Sequence, residues 1–122
     1  EVDHSMQSTN SRTGNNSDEF YREANNGGSF SYRLATNKEN NLILMVRYRG
    51  NERGRKNFEI YVDDQKLITE DLTDKWKVAK FYNVEYQIPE AMLKGKDFVR
   101  VKFQPLSGYT TGAIYGIRIL KK

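Results

Sequence analysis

From residue 30 onward, apolar and polar residues alternate along the chain. In Phe30-Ser31-Tyr32-Arg33-Leu34 the apolar side chains take one face and the polar ones the other, the two-residue period of a half-buried strand. Leu42, Leu44, Val46 and Tyr48 share a face, with Ile43 and Met45 opposite them. A strand apolar on both sides is central in its sheet or covered. Phe58, Ile60 and Val62 alternate with Glu59, Tyr61 and Asp63, and Asp63-Asp64-Gln65 predicts a tight turn into Lys66-Leu67-Ile68-Thr69, which makes a hairpin. Tyr82, Val84, Tyr86 and Ile88 predict a strand that Pro89 ends. Pro89 to Leu93 suits one helical turn with proline in its first position, and Gly95 closes it. Val99, Val101 and Phe103 form a further strand that stops at Pro105. Thr111 to Leu120 predicts a last strand, with Ala113, Tyr115, Ile117 and Ile119 on one face and Gly116 in its middle.

Residues 1–28 read differently. They are rich in Ser, Asn, Thr and Gly and keep neither period, so loops with one short strand and one helical turn are expected. Tyr21-Arg22-Glu23-Ala24 is too short, and too close to Gly27-Gly28, to stand as an independent helix. It reads as a structured loop at the sandwich edge, and the glycine pair lets the chain turn into the strand that follows. Arg22 then either orders that loop by bonding carbonyls or faces a ligand. With about seven or eight short strands and no long amphipathic helix, the pattern predicts an all-β antiparallel β-sandwich of the jelly-roll kind. It is expected to be one domain over residues 1–122.

Composition narrows the possible chemistry. Cysteine is absent, which excludes disulfides, thiolate catalysis and cysteine–zinc sites. Aromatics make up 12% of a chain that is 30% charged, which argues for a packed core rather than disorder. No apolar run approaches the ~20 residues of a membrane-spanning helix. The net charge of +4 fits a mixed-charge surface better than counterion-release binding to nucleic acid. Starting at Glu1 and ending straight after a predicted strand, the chain reads as a domain of a longer protein or a mature form after cleavage.

Candidate reactive groups are sparse. The single histidine, His4, sits where chains fray, a poor place for a fixed general base. Asp18-Glu19, Asp63-Asp64 and Glu70-Asp71 are neighbours in sequence. On a strand such neighbours point to opposite faces, so none makes a glycosidase pair by itself. Gly50-Asn51-Glu52-Arg53-Gly54-Arg55-Lys56 resembles a phosphate loop only loosely, with the wrong spacing and no helix to follow. Arg47, Arg49, Arg53, Arg55 and Lys56 form a basic rim there, without the interleaved aromatics of a nucleic-acid platform. Asn10, Thr13, Asn15, Asn16, Ser17, Asp18 and Glu19 offer oxygen ligands without EF-hand spacing, so a structural calcium is the one metal to consider. Trp76, Tyr109, Tyr21 and Tyr82 lie in or near loops, where flat aromatics can stack on sugar rings or pack into the core. Trp76 is the most suggestive, since its neighbours Thr73-Asp74-Lys75 and Lys77 are all polar.

A family resemblance runs through most of the chain. It is carried by Ser11-Arg12-Thr13-Gly14, Tyr21-Arg22-Glu23-Ala24, Gly28-Ser29-Phe30-Ser31-Tyr32 and Phe58-Glu59-Ile60-Tyr61-Val62-Asp63. Phe81-Tyr82-Asn83-Val84-Glu85-Tyr86-Gln87-Ile88-Pro89, Lys94-Gly95-Lys96 and Gly112-Ala113-Ile114-Tyr115-Gly116-Ile117-Arg118 complete it. In order and spacing these segments resemble the C-terminal β-sandwich domain of unknown function in bacterial proteins of the β-L-arabinofuranosidase glycoside-hydrolase family. Where that family has Trp-Arg-Asp-Ala, this chain has Tyr21-Arg22-Glu23-Ala24. The family's catalytic machinery is a separate helical barrel using cysteine and zinc, and this chain has neither helices nor cysteine.

The resemblance implies a non-catalytic accessory module of a carbohydrate-active protein, similar to galactose-binding-like domains, with no cofactor. Its expected partners are the catalytic domain of the same parent chain and a plant-type glycan, with no nucleic acid and no membrane. The implied location is periplasmic or secreted, in a bacterium. If sugar is bound, Trp76 and Tyr109 are the expected stacking residues, and Arg22, Asp18 and Arg49 the hydroxyl partners. The alternative is a structural module whose outward residues, such as Ile43 and Met45, cover a neighbouring domain. A free-standing enzyme would need convergent titratable groups that the sequence does not display.

Overall fold

A computed structural model of the chain describes residues 6–16, 19–52 and 54–122. Eight strands are described: β1 (Gln7–Asn16), β2 (Glu19–Ala35), β3 (Leu42–Arg49), β4 (Asn57–Val62), β5 (Gln65–Asp71), β6 (Phe81–Gln87), β7 (Phe98–Pro105) and β8 (Gly116–Lys121). One 3-10 turn, Glu90–Met92, lies between β6 and β7. The strands form a five-stranded sheet in the order β1-β2-β7-β4-β5 and a three-stranded sheet in the order β6-β3-β8. Every pairing between them is antiparallel. This is the expected all-β jelly-roll sandwich.

Alternation decides which side chains face inward. Phe30, Tyr32 and Leu34 of β2, Phe58, Ile60 and Val62 of β4, and Val99, Val101 and Phe103 of β7 are buried on the inner face of the large sheet. Leu42, Leu44, Val46 and Tyr48 of β3 meet them from the small sheet. β3 is the central strand there, as its two apolar faces foretold. Asp63 and Asp64 turn β4 into β5 with positive φ values of 48° and 66°, the tight two-residue hairpin geometry.

Four expectations need correction. Residues 1–28 are not loop-rich where they are described, because β1 fills 7–16 and β2 begins at Glu19. Tyr21-Arg22-Glu23-Ala24 is therefore strand, not a structured loop. The strand expected over Thr111 to Leu120 starts only at Gly116, because Gly112, at φ +68°, breaks the extended run. Pro89 occupies the N-cap of the 3-10 turn rather than its first position.

The β1–β2 ribbon bends part-way along. Its register shifts between Thr9 and Ser11, where Asn10 has φ 48°. Beyond that bulge β2 leaves β7 and bridges Ile114 instead, with Arg22 and Ile114 exchanging backbone hydrogen bonds of 3.0 Å. The outer half of the ribbon thus becomes an arm lying at the end of the sandwich that also carries the 50–56, 72–80 and 106–115 connections. The opposite end holds the 36–41 and 88–97 connections and the β4–β5 turn.

Candidate functional site

The crossover from β7 to β8 is the foundation of the loop end. It must carry the chain from one sheet to the other, and it does so strapped on both sides. On one side the Thr111 hydroxyl accepts from the Ala24 backbone N–H at 3.0 Å, and the Thr111 N–H donates to the Ala24 carbonyl at 3.0 Å. On the other side Thr110 N–H donates to the Arg55 carbonyl at 3.0 Å, making a parallel bridge between Lys56 and Thr110. Thr111 is fully buried, so its hydroxyl acts as structural cement. The arm, the 50–56 connection and the crossover are thereby held side by side.

A cleft of about 300 Å³ opens between these three segments. One wall is a face of the arm. Arg12 pairs with Glu23 and Gly14 with Tyr21 across the ribbon, so all four point the same way. A Cβ at Gly14 would stand 2.3 Å from the Tyr21 ring, which lies across that position, so a larger residue there would displace the ring. The opposite wall is Glu52, Lys56 and Tyr115. The rings of Tyr21 and Tyr115 sit 5.3 Å apart, tilted by 59°, and Phe81 backs Tyr115 edge-on at 4.9 Å.

The polar groups of the cleft form two clusters. In the first, the Arg12 guanidinium donates to Glu23; by hydrogen bond and charge the carboxylate pushes the guanidinium above its ordinary value. In the second, Glu52 accepts from the Tyr115 hydroxyl at 2.9 Å and lies 3.4 Å from the Lys56 ammonium. Lys56 is buried, and its stem packs on Gly112, where a Cβ would sit 2.7 Å from Lys56 Cδ. A carboxylate and a cation side by side, next to tyrosine rings, suit a sugar: vicinal hydroxyls donate to the one and accept from the other while C–H faces meet the rings.

A family model matches residues 1–120, nearly the whole chain. The chain belongs to DUF6805, a family of unknown function. No curated protein matches it in sequence. Among solved structures, the fold is similar to a family 35 carbohydrate-binding module from Clostridium thermocellum, with TM-score 0.72 and 9% identity over 98% of this chain and 95% of that one. It is also similar to the C-terminal family 6 module of a laminarinase from Zobellia galactanivorans, with TM-score 0.64 and 17% identity over 94% of this chain and 91% of that one. A third likeness is to part of an exo-β-1,3-galactanase from Phanerochaete chrysosporium, with TM-score 0.66 and 11% identity over 97% of this chain and 28% of the enzyme. This DUF6805 chain therefore shares its β-sandwich fold with family 35 and family 6 carbohydrate-binding modules.

The residues singled out from sequence are scattered in space. Trp76 is half-buried at the loop end, its ring stacked on Tyr82 at 4.4 Å and 7° and 5.9 Å from buried Tyr48. Tyr109 carries the Arg55 guanidinium over its ring at 4.6 Å. Arg22 faces the side of the arm away from the cleft, where it donates to the Ser11 hydroxyl at 2.7 Å. Arg49 lies on the outer face of the small sheet, over Phe81 at 4.8 Å. Asp18, like His4 and Arg53, lies outside the described residues. None of the four described lines the cleft.

The expected basic rim is likewise divided. Arg47 chelates both oxygens of Glu19 at 2.9 and 3.0 Å, and Lys56 is turned into the cleft. Of the oxygen-rich segment considered for calcium, Ser17 and Asp18 are undescribed and Glu19 is engaged by Arg47. Among the described residues no three His, Cys, Asp or Glu side chains converge as a metal site, and no helix is long and apolar enough to cross a membrane.

Of the cleft's lining, sequence reasoning named Tyr21 as a stacking candidate and Lys56 in the basic rim, but passed over Arg12, Glu23, Glu52 and Tyr115 as site residues. The signal was present in part, because Tyr21 and Glu23 flank Arg22. Reading the segment as strand would have put those two on one face and Arg22 on the other.

Proposed function

We propose that this chain is a non-catalytic carbohydrate-binding module that holds a sugar in the loop-end cleft, attached to a carbohydrate-active catalytic domain. The observation that carries this reading is the cleft itself, with its two carboxylate–cation clusters beside Tyr21 and Tyr115. The likeness in fold to family 35 and family 6 modules supports it. The resemblance in sequence supports an arabinofuranosidase-like parent acting on plant-type glycan, and a periplasmic or secreted location is part of the same proposal. Isothermal titration of the isolated domain with arabinan, galactan and xylan oligosaccharides tests it. Binding heat that disappears in a Tyr21→Ala, Tyr115→Ala double variant supports the cleft, and heat unchanged in that variant moves the site elsewhere.

A second reading is a packing module. It is favoured by the outer face of the small sheet, where Ile43, Met45 and Leu120 are all half-buried and Ile43 pairs with Leu120. Under that reading no oligosaccharide binds, and mixing with the catalytic domain broadens the amide signals of Ile43 and Met45.

A further inference from the structure

The charge arrangement of the cleft points to the class of sugar, an inference that rests on the cleft being the binding site. Among its described lining residues the charged side chains are two cations and two carboxylates, and each is already engaged: Arg12 with Glu23, Lys56 with Glu52. Lys56 cannot turn to a new anion. Its side chain is only 7% exposed, its stem is held against Gly112, and swinging away would leave the Glu52 carboxylate, 21% exposed, without its ammonium. Arg12 is 70% exposed and free to move, but moving it strips the partner from Glu23, which is 13% exposed.

We infer that the cleft selects an uncharged, hydroxyl-rich sugar end and rejects uronates. A neutral glycoside breaks no existing pair. Its hydroxyls donate to the remaining lone pairs of Glu23 and Glu52 and accept from the Arg12 and Lys56 N–H groups, all charge-assisted bonds. A uronate carboxylate entering the same space faces two fixed carboxylates and finds no free cation among the described lining residues. Like charges brought together at an interface are strongly unfavourable. At about 300 Å³ the cleft is at the small end of ligand pockets, so it fits the end of a chain rather than a long internal stretch.

The test is an NMR titration of the 15N-labelled domain, with two groups of methyl glycosides at equal concentration in low salt. One group is galactopyranoside, arabinofuranoside, xylopyranoside and glucopyranoside; the other is galacturonoside and glucuronoside. The expected result is that at least one neutral glycoside shifts the amides of Glu52, Lys56 and residues 110–115, with an affinity tenfold or more above either uronoside. Glu52→Gln is expected to weaken the neutral glycoside and narrow that gap; Glu23→Gln, which removes the other carboxylate and releases the exposed Arg12, provides the same check should Glu52→Gln fail to fold. Uronosides shifting these amides as tightly as the neutral group would overturn the selectivity and leave the cleft standing. Shifts confined to other regions, or none with any glycoside, would overturn both.

Discussion

The hydroxyl of Tyr48 is buried between the sheets and needs a partner. It donates to the Tyr86 hydroxyl at 2.8 Å, and Tyr86 donates to Glu70 at 2.8 Å, so a chain of bonds runs from the core to the sandwich edge. Burial is the main cause that raises both phenols well above their ordinary value of 10.0. In the unfolded chain each phenol loses its proton near 10; in the folded chain each keeps it. The folded state then binds more protons, and stability falls as pH rises above about 10, by ~1.4 kcal/mol per pH unit for each tyrosine. Urea unfolding between pH 8 and 11 should show this slope. Tyr48→Phe should cost about 1 kcal/mol at pH 8 and make the alkaline slope shallower. An unchanged slope would mean that Tyr48 does not hold its proton in the fold. Trp76 makes a second residue-scale case. Its stack on Tyr82 and contact with Tyr48 are internal, so Trp76→Ala should destabilise by roughly 3 kcal/mol. Sugar affinity of the folded variant should stay within twofold of the parent. A tenfold loss of affinity in a variant of full stability would instead place Trp76 in the binding site.

At the scale of elements, what could be read from sequence was what the core enforces. β3, β4, β6 and β7 each bury one face, so their alternation is plain, and the two-faced apolar start of β3 marks it as central. The β1–β2 arm was hidden because neither face meets the core beyond Ala24. Its residues answer to the cleft on one side and to Ser11–Arg22 bonding on the other, and Phe20 on the arm is exposed rather than packed in the core. The crossover was misread for a related reason. Residues 111–115 are apolar enough to resemble a strand, yet Thr111 and Gly112 divert the chain to bridge two sheets, a job that only long-range contacts reveal. The cleft was illegible as a site because its charged groups come from residues 12, 23, 52 and 56, which proximity in sequence does not join. The arm offers its own test. Gly14→Val forces a side chain into the Tyr21 ring and should turn that ring out of the cleft. Sugar affinity should fall fivefold or more while the melting temperature changes little, since the arm's outer half contributes little core. Affinity equal to the parent's would show that the Tyr21 ring is not part of the binding surface.

For the whole molecule, the consequence of the architecture is that the cleft draws on both sheets. Arg12, Tyr21 and Glu23 belong to the ribbon of the large sheet, Tyr115 leads directly into β8 of the small one, and Glu52 and Lys56 lie on the connection between β3 and β4. A sugar in the cleft therefore clamps the loop end, while the end holding the 36–41 and 63–64 turns has no contact with it. Ligand at about one hundred times its dissociation constant adds ~2.7 kcal/mol to folding stability, which for a domain of this size is a rise in melting temperature on the order of 10 °C. The bound domain should also gain amide protection in 50–56, 110–115 and the β1–β2 arm, with none at the 36–41 and 63–64 turns. A packing module behaves differently: oligosaccharide leaves its melting temperature unchanged, and protection appears over Ile43 and Met45 only when the neighbouring domain is added. Hydrogen exchange with and without oligosaccharide separates the two, because the cleft and the Ile43–Met45 face are distinct surfaces of the sandwich.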